Sequence, residues 1–203
     1  MNTRLEESFG NIDIYLFDQL LKGRFDTTTK VLDAGCGTGR NVQFFLKNRY
    51  DVFAVDETPA AIREVQQLAE HLAPHLPESN FVIAPVEDLP FEDGSFNLVI
   101  SSAVLHFAKN PAHFEDMLRE MWRVMKPGAF LFCRLASSIG IKELVREVGN
   151  GRFVLPDGST RYLVDEKMLL DNTHKLGGRL FEPIKTTNVQ NLRCMTTWCV
   201  QKL

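Results

Sequence analysis

Residues 31 to 41 read Val-Leu-Asp-Ala-Gly-Cys-Gly-Thr-Gly-Arg-Asn, an apolar run that breaks into glycines at every second position, Gly35, Gly37 and Gly39. A residue without Cβ takes positive φ and lets the backbone come within contact distance of a ligand. The segment therefore predicts a strand feeding a ligand-binding turn, with Asp33 just ahead of the glycines. Further on, Tyr50-Asp-Val-Phe-Ala-Val-Asp-Glu reads as a second strand ending on Asp56. An acid at that carboxyl edge is placed to accept both hydroxyls of a ribose. Together the two segments predict a nucleoside ligand.

The glycine spacing narrows the choice. The dinucleotide fingerprint is G-x-G-x-x-G and leaves a helix N-terminus open for a pyrophosphate. Here the third glycine comes one residue early, and the Asp33 carboxylate would repel a phosphate. A carboxylate suits the ammonium of an amino acid instead.

With 203 residues, 44% of them hydrophobic and 24% charged, the chain is long enough for one domain with a full core. No segment approaches the ~20 apolar residues of a membrane span. The first residues, Met-Asn-Thr-Arg-Leu-Glu-Glu-Ser, lack the apolar core of a signal peptide, so a cytoplasmic protein is expected. The four cysteines, Cys36, Cys133, Cys194 and Cys199, form no C-x-x-C pair and have no nearby histidine. Buried free thiols are expected, with no disulfide framework and no metal site. A net charge of -3 leaves no basic surplus for a phosphate backbone, which disfavours nucleic acid as the main partner.

The order of elements gives the fold class. Ile12, Tyr15, Leu16, Phe17, Leu20 and Leu21 lie at helical spacing, so residues 1–28 are expected to form a helical cap. A strand (29–34), a helix (38–48), the second strand, a helix (59–72) opened by Pro59, and a strand from Asn80 follow. After a turn at Asp93-Gly94 come a fourth strand (95–102), a helix (111–125) and a fifth strand (130–135). Phe114, Met117, Leu118, Met121, Trp122 and Met125 form one helical stripe, which reads as core. Strand and helix alternate, which specifies a doubly wound parallel sheet. Two strand-like runs, 179–188 and 192–202, are joined only by Val189-Gln-Asn and must be antiparallel. The expectation is a Rossmann-like α/β fold whose mostly parallel, seven-stranded sheet ends in an antiparallel hairpin. Residues 136–164 are expected to insert a helix and a small hairpin about Pro156-Asp157-Gly158, a candidate substrate lid.

Several segments carry a resemblance. The glycine turn resembles motif I of the class I S-adenosylmethionine-dependent methyltransferases, and Asp56 falls where that family has its ribose-binding acid. Glu87-Asp-Leu-Pro-Phe with Asp93-Gly-Ser-Phe-Asn-Leu-Val is similar to the stretch that frames the adenine. Ser101-Ser-Ala-Val-Leu-His-Phe resembles the motif beside the sulfonium, and Leu118-Arg-Glu-Met-Trp-Arg-Val-Met-Lys-Pro-Gly resembles the segment that follows. The chain thus resembles the small, stand-alone members of type 11 and type 25.

The resemblance implies S-adenosyl-L-methionine as cofactor. Asp33 and the backbone of Gly35, Cys36, Gly37, Thr38 and Gly39 would hold its methionine part, with Ser101 and Ser102 nearby and Arg40 on its carboxylate. Asp56, with Glu57 beside it, would hold the ribose. Val86, Glu87 and Asp88 would frame the adenine, because Pro85 stands where relatives often carry an adenine-binding Asp.

Methyl transfer from a sulfonium is an in-line displacement that mainly needs alignment and exclusion of water. His106 is the titratable residue that the motif order places near the reacting centre, and it is the candidate proton acceptor. The Asn-Pro-Pro-Tyr type of signature for amine methylation is replaced by Ser101-Ser-Ala-Val, so a small-molecule acceptor is expected. Tyr15, Phe153, Arg161 and Tyr162 are candidate lining for it. The competing readings are an NAD(P)-dependent oxidoreductase and a non-catalytic nucleoside-binding module on the same fold.

Overall fold

A computed structural model describes residues 7–203. The first six residues of the expected N-terminal cap lie outside the described residues. The remainder of that cap contains α1 (Ile14–Leu21), opened by Asp13, whose side chain accepts from the Tyr15 N–H.

The glycine-bearing segment is strand β1 (Lys30–Ala34), buried from Val31 onward. It runs parallel to β2 (Asp51–Asp56) on one side and β4 (Phe96–Ser102) on the other. Strand β3 (Phe81–Ile83) extends the sheet beyond β2, and β5 (Met125–Ser137) extends it beyond β4, all parallel. Near-continuous apolar runs such as Leu98-Val-Ile mark strands covered on both faces. One face packs Leu32, Val99 and Trp198 with Met121, and the other packs Val31 and Ile100 with Phe45 and Ile62.

The covering helices obey their sequence signals. Helix α2 is Gln43–Lys47, and α3 (Pro59–Leu72) has Pro59 at its start and buries Ala61, Ile62, Val65 and Ala69. Helix α4 (Pro111–Arg123) is capped by Asn110, which accepts from the His113 N–H at 2.9 Å. Its buried stripe is Phe114, Met117, Leu118, Met121 and Trp122, one turn short of including Met125, which starts β5.

The last strand, β11 (Arg193–Lys202), pairs antiparallel with β5, and both β9 (Gly178–Leu180) and β10 (Lys185–Val189) pair antiparallel with it. The order across the sheet is β10-β11-β5-β4-β1-β2-β3, with β9 beside β11. This is the expected mostly parallel Rossmann-like sheet with antiparallel strands at one edge, with eight strands where seven were expected. The expected run 179–188 is two short strands because Pro183, between them, has no N–H to give the ladder.

Three expectations change. The helix expected over 38–48 begins only at Gln43, because Gly39 takes φ +81 and its carbonyl closes a turn with the Val42 N–H. Within 136–164 there is no α-helix but a 3-10 turn, Lys142–Leu144. Beyond it β6 (Arg146–Gly149) joins β7 (Arg152–Val154) and β8 (Thr160–Tyr162), so the hairpin about Pro156 is a three-stranded sheet. The Ser137–Val164 bridge ties the base of this excursion to the main sheet. A further helix, α5 (Glu166–Lys175), was not expected; Asp165 caps it and it buries only Leu169 and Thr173, too few positions to give a clear helical period.

Candidate active site

The sheet order reverses between β1 and β4, and in open α/β sheets ligands bind outside the carboxyl ends of the strands at such a point. A cavity of about 560 Å³ lies there. Its floor is the turn after β1, its sides the ends of β2 and β4 and the loop after β3.

The turn is held by the neighbouring strand. The Gly35 and Cys36 N–H groups both donate to the Val55 carbonyl at 2.9 Å, and the Gly37 N–H donates to Asp56 Oδ2 at 2.9 Å. A Cβ on Gly35, at φ +82, would sit 2.5 Å from Val104 Cγ2, so the residue at this point of closest approach must be glycine. The other carboxylate oxygen of Asp56 accepts from the Thr58 N–H at 2.9 Å. Each oxygen thus keeps one lone pair free, which suits two sugar hydroxyls.

Asp33 is the electrostatic centre. It is 1% exposed, and neither carboxylate oxygen has a hydrogen-bond partner within the protein. Burial pushes its pKa up to about 7; Arg40 pulls it down and Asp56 adds to the rise. An orphaned buried carboxylate is costly, and an ammonium at the cavity floor would complete it. A phosphate-bearing ligand would meet the Asp56 carboxylate in the cavity wall and the field of Asp33 beneath the turn. The residues present therefore fit a zwitterionic, phosphate-free adenosine derivative.

Of the expected cofactor residues, Gly35, Cys36, Gly37, Thr38, Arg40, Asp56, Glu57, Val86, Glu87 and Ser102 line this cavity, together with Pro85. Four do not. Asp33 lies beneath the turn, and Ser101 points its unpartnered hydroxyl into the buried interior. Asp88 is exposed and turns away, its N–H donating to the Pro85 carbonyl. Gly39 packs against α3, where a Cβ would come 3.0 Å from Val65 Cγ2; its role is helix packing. Sequence reasoning missed Phe107, Lys109, His113 and Met117, which come from the loop after β4 and from α4. His113 Nε2 lies 3.0 Å from Glu87 Oε1, so a neighbour of the α4 stripe reaches the same wall as Glu87, and Met117 reaches the cavity from the stripe itself.

A second cavity of about 360 Å³ adjoins the first, the two sharing Arg40, Ser102 and Ala103. Ala103, at φ +66, holds a left-handed conformation at the junction, and its N–H donates to the Arg134 carbonyl at 2.7 Å. The excursion supplies one wall, through Leu155, Asp157, Ser159 and Arg161. His106 lies in this second cavity and not in the first. Its Nδ1 accepts from the Ala136 N–H at 3.2 Å, and burial, with Arg161 nearby, lowers its pKa to about 4. With Nδ1 so engaged the proton sits on Nε2, which makes the imidazole a neutral donor and not the expected proton acceptor.

Of the expected acceptor lining, only Arg161 reaches the second cavity. Phe153 and Tyr162 line a separate depression on the far side of the excursion, where Tyr162 stacks on Phe114 at 5.1 Å. Tyr15 is engaged structurally: its hydroxyl is 2.7 Å from Thr187 Oγ1 and its ring lies 4.6 Å beneath the Arg134 guanidinium. Among the described residues no group of three or more His, Cys, Asp or Glu is placed to hold a metal ion, the four cysteines are free, and no helix is long and apolar enough to cross a membrane.

The methyltransferase domain family matches residues 32–133. The chain belongs to that family. Among its relatives, an uncharacterised methyltransferase of Synechocystis is 32% identical over 99 residues, covering 49% of this chain and 43% of the relative. The human thiol S-methyltransferase TMT1B is 36% identical over 121 residues, covering 58% of this chain and 47% of the relative. The chain thus spans less than half the length of these relatives. The fold matches a 1,6-didemethyltoxoflavin-N1-methyltransferase of Burkholderia thailandensis, crystallised with S-adenosylhomocysteine, with a TM-score of 0.70 at 18% identity over 99% of this chain and 81% of that one. The matched span runs from β1 to the middle of β5, so it contains every residue lining the first cavity and none of the excursion.

Proposed function

We propose that the chain transfers a methyl group from S-adenosylmethionine to a small-molecule acceptor. One observation carries the reading: a cavity floored by the glycine turn, with the orphaned Asp33 carboxylate buried directly beneath that turn, opens at Ser102 and Ala103 into a second cavity that can take an acceptor. When bound, the cofactor supplies a methyl group already activated by a sulfonium leaving group. The chain then has to align the acceptor and keep water out.

The residues divide that task. Asp33 takes the ammonium, Asp56 the ribose hydroxyls, and Val86 and Glu87 the adenine edge; Arg40, donating to Ser102 Oγ at 3.0 Å, stands where a cofactor carboxylate would end. His106 Nε2–H donates a hydrogen bond to the acceptor. The excursion closes the acceptor side.

The test is a radiolabelled methyl-transfer assay on the purified chain against a metabolite panel, paired with calorimetric titration of S-adenosylhomocysteine. Transfer to a small molecule is expected. Methylation of protein or RNA in an extract, with none of small molecules, would contradict the acceptor class, and homocysteine-nucleoside binding without transfer to any acceptor would make the chain a binding module.

A further inference from the structure

The acceptor cavity carries more positive charge than its own acids neutralise. Four guanidinium groups line it, those of Arg40, Arg134, Arg161 and Arg193, against two carboxylates, Asp13 and Asp157. Two of the four are matched. Arg134 Nε lies 3.0 Å from Asp13 Oδ2, and Arg193 Nη1 lies 3.7 Å from Asp157 Oδ2. Arg40 reaches the same Asp13 oxygen at 3.7 Å and belongs as much to the cofactor cavity.

Arg161 is the remaining charge. It donates to the Thr160 carbonyl at 2.9 Å, and its guanidinium lies 5.0 Å from the centroid of the Phe107 ring, but among the described residues it has no ion-pair partner. Asp157, the acid that senses it, is already held by Arg193 and by the Ser159 N–H and hydroxyl at 2.9 and 2.6 Å. Beside Arg161 stands His106, whose Nε2–H has no partner among the described residues.

The same walls offer no base. His106 Nδ1 is taken by Ala136, and both carboxylates are taken by arginines. An alcohol, phenol or protonated amine would arrive with a proton that nothing in the cavity is free to remove. A carboxylic acid arrives ionised, and a guanidinium fork matches its two oxygens.

Resting on the methyltransferase reading, we propose that the acceptor is a small carboxylate, paired with Arg161 and His106, that takes the methyl group on its own oxygen. A carboxylate lone pair forms the new O–CH3 bond as the C–S bond breaks, and that electron pair stays on sulfur. The products are a neutral methyl ester and a thioether, and no proton is released.

The test uses the whole chain with tritiated S-adenosylmethionine and a panel of mono- and dicarboxylates, benzoate, malonate, succinate and citrate among them, beside their amides and simple thiols. Calorimetry with the same acids on protein saturated with S-adenosylhomocysteine runs in parallel. Acids are expected to bind and to be methylated, the label being released as methanol by mild alkali, whereas amides and thiols are not. Arg161→Gln should raise the KM for the acid about 10- to 100-fold, with the affinity for S-adenosylhomocysteine unchanged, and Arg161→Lys should recover part of the loss. S-adenosylhomocysteine binding together with alkali-stable label, equal use of amides or thiols, no acid bound, or an Arg161→Gln variant with unaltered KM would each overturn this inference alone. Failure of the wild type to bind S-adenosylhomocysteine would overturn the methyltransferase reading first, and this one with it.

Discussion

Asp33 controls the pH behaviour of the site. Its folded-state pKa, about 7, lies above the ordinary 3.8, so the ligand-free fold holds an extra proton between those values and loses stability as pH rises through them. Asp33→Asn should remove that loss and leave the ligand-free protein relatively more stable at pH 8 than the wild type, read by urea denaturation at several pH values. In the wild type the affinity for S-adenosylhomocysteine should rise from pH 6 to pH 8 as the carboxylate ionises; in Asp33→Asn it should be flat and weaker by about tenfold or more. A pH-independent wild-type affinity would remove Asp33 from the ammonium site. His106 makes the opposite contribution: its folded pKa, about 4, lies below the ordinary 6.5, so stability falls as pH drops through that interval. With the donor role proposed for it, His106→Ala should raise the acceptor KM and leave the acid limb of the rate profile unchanged. An acid limb that disappears with the imidazole would restore it as a base. Ala103 stores backbone strain at the junction of the cavities; Ala103→Val, β-branched at positive φ, should cost about 1–3 kcal/mol in unfolding free energy, whereas Ala103→Gly should cost far less.

At the scale of elements, α1 is tied to β10 through Tyr15 and Asp18 and to β5 through one buried acid at its start. Asp13 caps the helix with one oxygen and pairs Arg134 on β5 with the other, and it is 6% exposed. Asp13→Ala removes the cap and leaves Arg134 uncompensated, and should destabilise the protein by about 3–5 kcal/mol, measured by chemical denaturation. A change under about 1 kcal/mol would mean that solvent replaces the pair freely. The parallel core was legible because its signals are local and strong: alternation of apolar runs with stripes such as Phe114 to Trp122, and Pro59 and Asn110 at helix starts. The glycine turn and Asp56 were legible because only few residue types satisfy positive φ or accept paired hydroxyls. The excursion was less so. Its strands are three to four residues long, too short for a period to show, and Tyr162 and Phe153 read as pocket aromatics although Phe114 pulls Tyr162 into packing. The arginine cluster was illegible for another reason: Arg40, Arg134, Arg161 and Arg193 are scattered along the chain, on a loop and on strands of two different sheets, and meet only in the folded structure.

For the whole molecule, the division of labour follows the topology. The parallel half, β1 to β4, builds the first cavity at the reversal point, and β5, the antiparallel edge and the excursion build the second cavity against it, the one proposed for the cofactor and the other for the acceptor. A ligand that binds the folded chain alone stabilises it by mass action, so S-adenosylhomocysteine at a hundredfold excess over its Kd should add about 2.7 kcal/mol to the unfolding free energy. The most direct measurement is calorimetric titration of the purified chain with S-adenosylhomocysteine and, separately, with NADH. Saturable one-to-one binding of S-adenosylhomocysteine, with no heat from NADH, is the predicted result. Binding of NADH without S-adenosylhomocysteine would contradict the phosphate-free cavity on which the account rests.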